Sequence, residues 1–351
     1  MGHSLSYQTV VLPSVEADVS QSPNIFDTLW QDKKSSRFNP GEWSAIAEVP
    51  IDNAGNLLLG LMGEEKAELK LYNVMSQQER IIDSISNEYY YAYAGSDDRY
   101  MVYYTYKTMQ SIAVPVTYKI IDLESFNVIT ADISSISINT DTVYIDTRVS
   151  LHEDKMYFEV NCREPKVNGN KVEDYGISIY SFDLQSENFA EVMIDAASPS
   201  ATAEGIYYLQ AANDGSATLF LQDWSGKTIQ YFNNVIQYSV YDQAIIWIEA
   251  VENSSIQRNM NFFQNGINKV LYTSDNFYFW DVRYNGTYVT WQQSSAPLYI
   301  YDIASESFYQ VSDKSGARYA IASENYLYWF EITRQGEIKD DVDTEIVFVA
   351  L

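Results

Sequence analysis

Two histidines and one cysteine set the first limits on the chemistry open to this chain of 351 residues. His3 belongs to an opening MGHS that reads as an added leader rather than native sequence. His152 lies in VSLHEDK, a strand-to-strand turn where a solvated imidazole is the ordinary occupant. A Ser-His-Asp hydrolase needs an imidazole as its base, and no Gly-x-Ser-x-Gly elbow accompanies these two. Histidine-rich metal sites and thiolate zinc fall with the same counts, so neither metal nor cofactor is expected. Cys162, in the apolar run MYFEVNC, reads as a buried inert thiol. A lone cysteine forms no intrachain disulfide, which suits the cytosol and equally a bacterial surface where disulfides are rare.

Carboxylates are the abundant reactive groups: 48 acidic against 22 basic residues, a net charge of −26. Nucleic acid requires a basic footprint, and the lysines and arginines are scattered singly apart from Lys33-Lys34. An anionic membrane surface is repelled for the same reason. The acidity serves solubility or a cationic partner. A glycosidase needs two carboxylates about 5–9.5 Å apart in a cleft, and spacing along the chain selects no pair. DNAGN (Asp52–Asn56) and NDGS (Asn213–Ser216) lack the acidic ladder of a calcium loop and read as turns. SGKT (Ser225–Thr228) lacks the upstream glycine and following helix of a phosphate loop and reads as a hairpin turn.

One pattern places opposite charges on a shared strand face. IDTR puts Asp146 two residues from Arg148, and WDVR puts Asp281 two residues from Arg283 behind Trp280. In one reading the arginines hold an anionic ligand at a channel mouth, with Trp280 as a stacking surface. In the other, Asp and Arg satisfy each other between neighbouring units. The two pairs fall out of register when aligned on adjacent strands, which favours internal pairing.

The elements that carry these residues repeat. Short hairpins turn at Ser76, Ser125, Ser186, Gly226, Gly266 and Ser305, the last four 40, 40 and 39 residues apart. The 161–176 stretch, NCREPKVNGNKVEDYG, is an insertion that reads as a long loop. Between the hairpins run strands with central rings, such as YMVYY (Tyr100–Tyr104), AIIWI (Ala244–Ile248) and YLYWF (Tyr326–Phe330); NLLLG (Asn56–Gly60) fills the same slot without one. A further strand precedes each. Four short strands per unit of about 40 residues are the signature of a propeller blade, and seven ring-slot strands predict an all-β, seven-bladed β-propeller of four-stranded antiparallel blades. After TEIVFVA (Thr344–Ala350) the last blade is one strand short, and an N-terminal strand is expected to close it. YQTVVLP (7–13) is the candidate, with 1–6 as leader, 14–40 as connector holding a helical turn near Asn24–Asp32, and 41–351 as blades of one domain. Rings in the repeated slot are expected to pack between blades. Rings off that register, Tyr89–Tyr91 and Trp224, are candidates for exposure. No apolar run reaches the ~18 residues of a spanning helix, so no membrane insertion is expected.

Leu-Tyr-Ile-Tyr-Asp-Ile at 298–303, Ile179-Tyr-Ser-Phe-Asp-Leu and Tyr118-Lys-Ile-Ile-Asp-Leu resemble the outer-strand repeat of TolB-like propellers. The family's usual Ser-Pro-Asp-Gly turn is missing, so the resemblance carries the fold and no functional residue. It implies an extracytoplasmic protein, at the cell surface or secreted, with a lipid anchor as one option for its attachment. On it rests the expectation of a non-catalytic module that binds a protein or peptide through its loop-rich face or channel mouth. Carbohydrate binding, or carboxylate-based glycoside hydrolysis, is the alternative.

Overall fold

A computed structural model describes residues 19–40, 44–45, 51–107, 117–136, 148–162, 166–168, 171–174, 176–211, 217–251, 254, 256–274, 280–292, 297–314, 316–335 and 342–351. The chain is a seven-bladed β-propeller. An N-terminal strand β1 (Ser36–Phe38) precedes blade 1, formed by β2 (Ser44–Ala45), β3 (Asn56–Met62), β4 (Lys66–Asn73) and β5 (Glu79–Ser86). Blade 2 is β6 (Tyr89–Ser96), β7 (Tyr100–Lys107), β8 (Thr117–Asp122) and β9 (Val128–Asp132). Blade 3 is β10 (Val149–His152), β11 (Lys155–Asn161), β14 (Ile177–Asp183) and β15 (Phe189–Ile194), with a separate hairpin, β12 (Lys166–Asn168) and β13 (Lys171–Asp174), between β11 and β14. The insertion read as a loop is therefore partly a hairpin, in which Val167 and Asn168 pair with Val172 and Lys171. Blade 4 is β16 (Ala197–Thr202), β17 (Gly205–Ala211), β18 (Ala217–Asp223) and β19 (Thr228–Gln230); blade 5 is β20 (Val235–Tyr241), β21 (Ala244–Ala250), β22 (Arg258–Gln264) and β23 (Ile267–Ser274). Blade 6 is β24 (Trp280–Tyr284), β25 (Tyr288–Gln292), β26 (Leu298–Asp302) and β27 (Ser307–Ser312). Blade 7 joins β28 (Ala317–Ala322), β29 (Tyr326–Gln335) and β30 (Val342–Ala350) to β1.

The repeated phrase in the sequence is a repeated turn. Between strands three and four, the side chain of Asn73, Asp122, Asp183 or Asp302 accepts the N–H groups two and three residues on, those of Ser76, Ser125, Ser186 and Ser305 among them. The fourth residue after each acceptor, Gln77, Phe126, Glu187 or Glu306, takes positive φ, from 51° to 60°. The short polar side chain thus substitutes for the missing backbone acceptors of a tight turn. The apolar residue after it, Val74, Leu123, Leu184 or Ile303, sends its own N–H to the turn between strands one and two of the same blade, at Gly55, Arg99, Asp154 or Thr287. Both turns of a blade are thereby bolted together at one end. The backbone N–H of Ser125 and of Ser186 hold the Asp122 and Asp183 carboxyls below the usual carboxylate range.

Two compact units divide the chain, one of Gly60–Leu71 and Arg80–Val235, the other of Tyr72–Glu79 and Ile236–Leu351 with the N-terminal stretch. In the first, Tyr104, Tyr118, Met156 and Phe158 fill the space between blades 2 and 3, and Tyr157, Ile206 and Tyr208 that between blades 3 and 4. In the second, Ile246, Ile248, Val289 and Trp291 pack between blades 5 and 6, and Ile300, Leu327 and Trp329 between blades 6 and 7. The ring-slot residues Tyr103, Tyr207, Trp247, Trp291 and Trp329 are all buried, which is the inter-blade packing their period predicts. Gly205 opens β17 at φ +152°, where a Cβ would fall 2.2 Å from the Gln222 carbonyl oxygen. Gly205→Ala is expected to cost about 2–4 kcal/mol, combining backbone strain and overpacking, as read by urea denaturation.

An N-terminal strand closes the last blade, but its position corrects the expectation. Ser36, Arg37 and Phe38 pair with Phe348, Val347 and Ile346 on the outer edge of β30, inside the stretch read as connector. That edge is taken, and residues 7–13 lie outside the described residues. Arg37 there reaches Glu331 at 2.7 Å and Glu345 at 2.8 Å. Phe38 then stacks on Tyr72 of β4 at 4.2 Å. Upstream, the chain straps across blades 5 to 7. Val19 joins the core between blades 5 and 6; Ile25 and Trp30 join that between blades 6 and 7. The expected helical turn is the 3-10 turn Ile25–Asp27, capped by the Asn24 side chain.

Candidate functional site

The charged pairs singled out by spacing meet different fates. Asp146 lies outside the described residues. Arg148 is exposed immediately before β10, which starts later than VYIDTRV suggested. Trp280 opens β24. Asp281 is buried and takes the Arg283 guanidinium, with Nε 3.2 Å from each carboxylate oxygen and Nη2 at 3.1 Å. Strand alternation alone does not produce this contact. β24 bulges between Trp280 and Arg283, so three steps on it match two on β25, and Asp281 takes φ +53°. The bulge turns the carboxylate back onto its own strand. Asp281 and Arg283 thus pair within one strand, not between neighbouring blades.

Exposed aromatic rings form the more accessible surfaces. In YYY at 89–91 the alternation of a strand decides each ring. Tyr91 is buried, not exposed, because it points toward blade 1, where its hydroxyl lies 3.4 Å from the Ala67 carbonyl. Burial pushes that hydroxyl's pKa well above its ordinary value, and does the same to Tyr103, whose OH donates to Asp83 at 3.1 Å. Asp83 also takes the Lys119 ammonium. Tyr90 points the other way, remains 39% exposed, and stacks at 5.5 Å and 25° on Tyr106, its cross-strand partner. From Tyr106 the rings continue inward through Tyr104 and Tyr118 to Phe158. Tyr90 is an outward end of a rigid aromatic column.

Tyr90 and Tyr106 occupy the start of β6 and the end of β7, opposite the bolted turns. Blade 3 is oriented the same way, because Arg99 and Tyr100, at the start of β7, both reach Asp154 in the turn before β11, at 3.2 and 3.4 Å. The β12–β13 hairpin therefore rises from the end of blade 3 that matches the Tyr90 end of blade 2.

The second exposed ring, Trp224, belongs to the turn end. It is 49% exposed and stacks on His152 at 5.3 Å and 9°. His152 closes β10 and is half-buried beneath that ring rather than free in a turn. Cys162 is buried at the base of the inserted hairpin, its Sγ 3.3 Å from the Ser178 hydroxyl. Asp52 accepts the N–H groups of Ala54 and Asn56, a turn as expected of DNAGN; 213–216 lies outside the described residues.

No family model matches the chain, and no curated protein matches it in sequence. Solved structures do resemble it in fold. A prolyl endopeptidase aligns with TM-score 0.57 and 11% identity over 93% of this chain and 53% of its own. An oligogalacturonate lyase in complex with manganese aligns with TM-score 0.53 and 11% identity, covering 91% of this chain and 98% of its own. TolB from Acinetobacter baumannii aligns with TM-score 0.39 and 13% identity, over 61% of this chain and 50% of its own. The chain thus spans about half the length of the endopeptidase and of TolB. Chains with such different activities share one scaffold, so the likeness defines architecture alone.

Proposed function

We propose that this chain is a non-catalytic recognition protein that binds a protein or peptide at the end of blades 2 and 3 from which Tyr90 and the β12–β13 hairpin project. The observation that carries the reading is the exposed Tyr90 ring held on Tyr106. An ordered ring loses little conformational entropy when a partner covers it, which is why tyrosine anchors interfaces.

The buried carboxylates are engaged by the fold. Among the described residues five are buried: Asp52, Glu159, Asp281, Asp302 and Glu331. Each accepts a hydrogen bond or ion pair from the fold itself, Glu159 from the Ser198 N–H at 2.8 Å.

A random peptide library displayed on phage tests the proposal. Panning on the immobilised chain should enrich binders that lose about tenfold or more in affinity on Tyr90→Ser, the loss of one aromatic hot spot. No enrichment, or binders indifferent to Tyr90→Ser, would sink it. Hits on a glycan array in place of peptide binders would favour carbohydrate recognition.

A further inference from the structure

The turn-end surface of blades 3 and 4 has a different character. Trp224 Nε1 donates to both the Thr202 and the Ala203 carbonyls at 3.2 Å. His152 covers one indole face, and Tyr157 lies tilted at 6.2 Å. Two hydrogen bonds and a stack fix the ring, which remains 49% exposed. An exposed ring of this size is ordinarily left to rotate; this one is presented.

The surroundings select the occupant. Glu153 and Asp154 follow His152, Glu204 follows the carbonyl that holds the indole, and Asp223 precedes Trp224. Lys155 and Lys227 stand on the same turns, and Arg99 binds Asp122 and Asp154. Glu153 is exposed and Glu204 half-buried, with its Oε2 taking the Tyr207 hydroxyl at 2.9 Å. The net charge of −26 adds a long-range field of the same sign. The face of an indole attracts cations, and a guanidinium both stacks on it and donates to carboxylates at its rim. We propose that the exposed Trp224 ring receives an arginine side chain of a partner protein, with Glu153 and Glu204 pairing with its edge. This surface is separate from the Tyr90 end and does not depend on it.

The test uses the full ¹⁵N-labelled chain and hexaarginine as the probe, followed through the indole N–H resonance that disappears in Trp224→Phe. Hexaarginine should shift that resonance, hexalysine should bind several-fold more weakly, and raising the salt should weaken both. Glu153→Gln with Glu204→Gln, which keeps the acceptor for Tyr207, should weaken hexaarginine binding by about tenfold. Tyr90→Ser should leave the titration unchanged, so failure here and failure of the peptide reading are distinguishable. The proposal is overturned if the resonance does not move. It is equally overturned if Trp224→Phe binds hexaarginine as tightly by calorimetry, or if cellohexaose, and not the peptide, shifts the resonance.

Discussion

Replacing Glu331 by glutamine should lower the stability of the chain by about 2–3 kcal/mol at neutral pH, the scale of a buried charge network losing its centre. Glu331 is 2% exposed and gathers the Lys314 ammonium, Arg37 at 2.7 Å, the Trp329 indole N–H at 3.0 Å and the Ser312 hydroxyl at 3.3 Å. Burial by itself raises its pKa, but the bonds from Lys314, Trp329 and Arg37 outweigh that and hold it at about 2. An unfolded glutamate titrates near ~4.3. A carboxyl depressed in the fold contributes fully above the unfolded value and loses its contribution as pH falls toward the folded one. The gap between wild type and Glu331→Gln should therefore narrow from about pH 5 down to about pH 2, as followed by urea denaturation. A gap that stays constant across that window would show that the network is held by shape rather than charge. Arg37→Ala should cost less, about 1 kcal/mol or below, because its side chain is 42% exposed and water replaces its partners.

Trp30→Ala should be the more damaging change, at about 3–5 kcal/mol, the usual cost of emptying a large aromatic site. Trp30 is 1% exposed, meets Tyr288 and Phe26 edge-on, and donates from Nε1 to the Tyr288 hydroxyl at 3.0 Å. Its removal opens a cavity between blades 6 and 7 and strands the Tyr288 hydroxyl. Trp224→Ala, at a half-exposed site, provides the contrast and should cost well under half as much. Equal losses by thermal and chemical denaturation would refute the role given to the strap.

Blade number and strand order were legible because both rest on local features. The alternation of LYIYD and the polar turn after it have counterparts in blades 1, 2 and 3, and the Asp302 side chain that builds that turn lies within three residues of the N–H groups it accepts. The closing strand was not legible. Ser36–Phe38 is short and mostly exposed, a poorer strand on its own than YQTVVLP, and the partners of Arg37, Glu331 and Glu345, lie about three hundred positions away. Likewise the two-residue spacing of Asp281 and Arg283 announced a pair, but the bulge that turns them together depends on the register with β25. Exposure of Tyr90 and Trp224 followed from their falling outside the repeated slot. What holds Trp224 in place, the carbonyls of Thr202 and Ala203, is backbone that no residue type advertises.

The pairing of β1 with β30 also sets an order of events during synthesis. Arg37 leaves the ribosome 308 residues before Glu345, its ion-pair partner. Until then blade 7 lacks both its third strand and its outer one, and the N-terminal segment has no edge to occupy. Loop closure over that span is slow relative to the hairpins within each blade. Nascent chains translated close together on one message thus have time to exchange their first strands, and swapped dimers are the misassembly this closure invites.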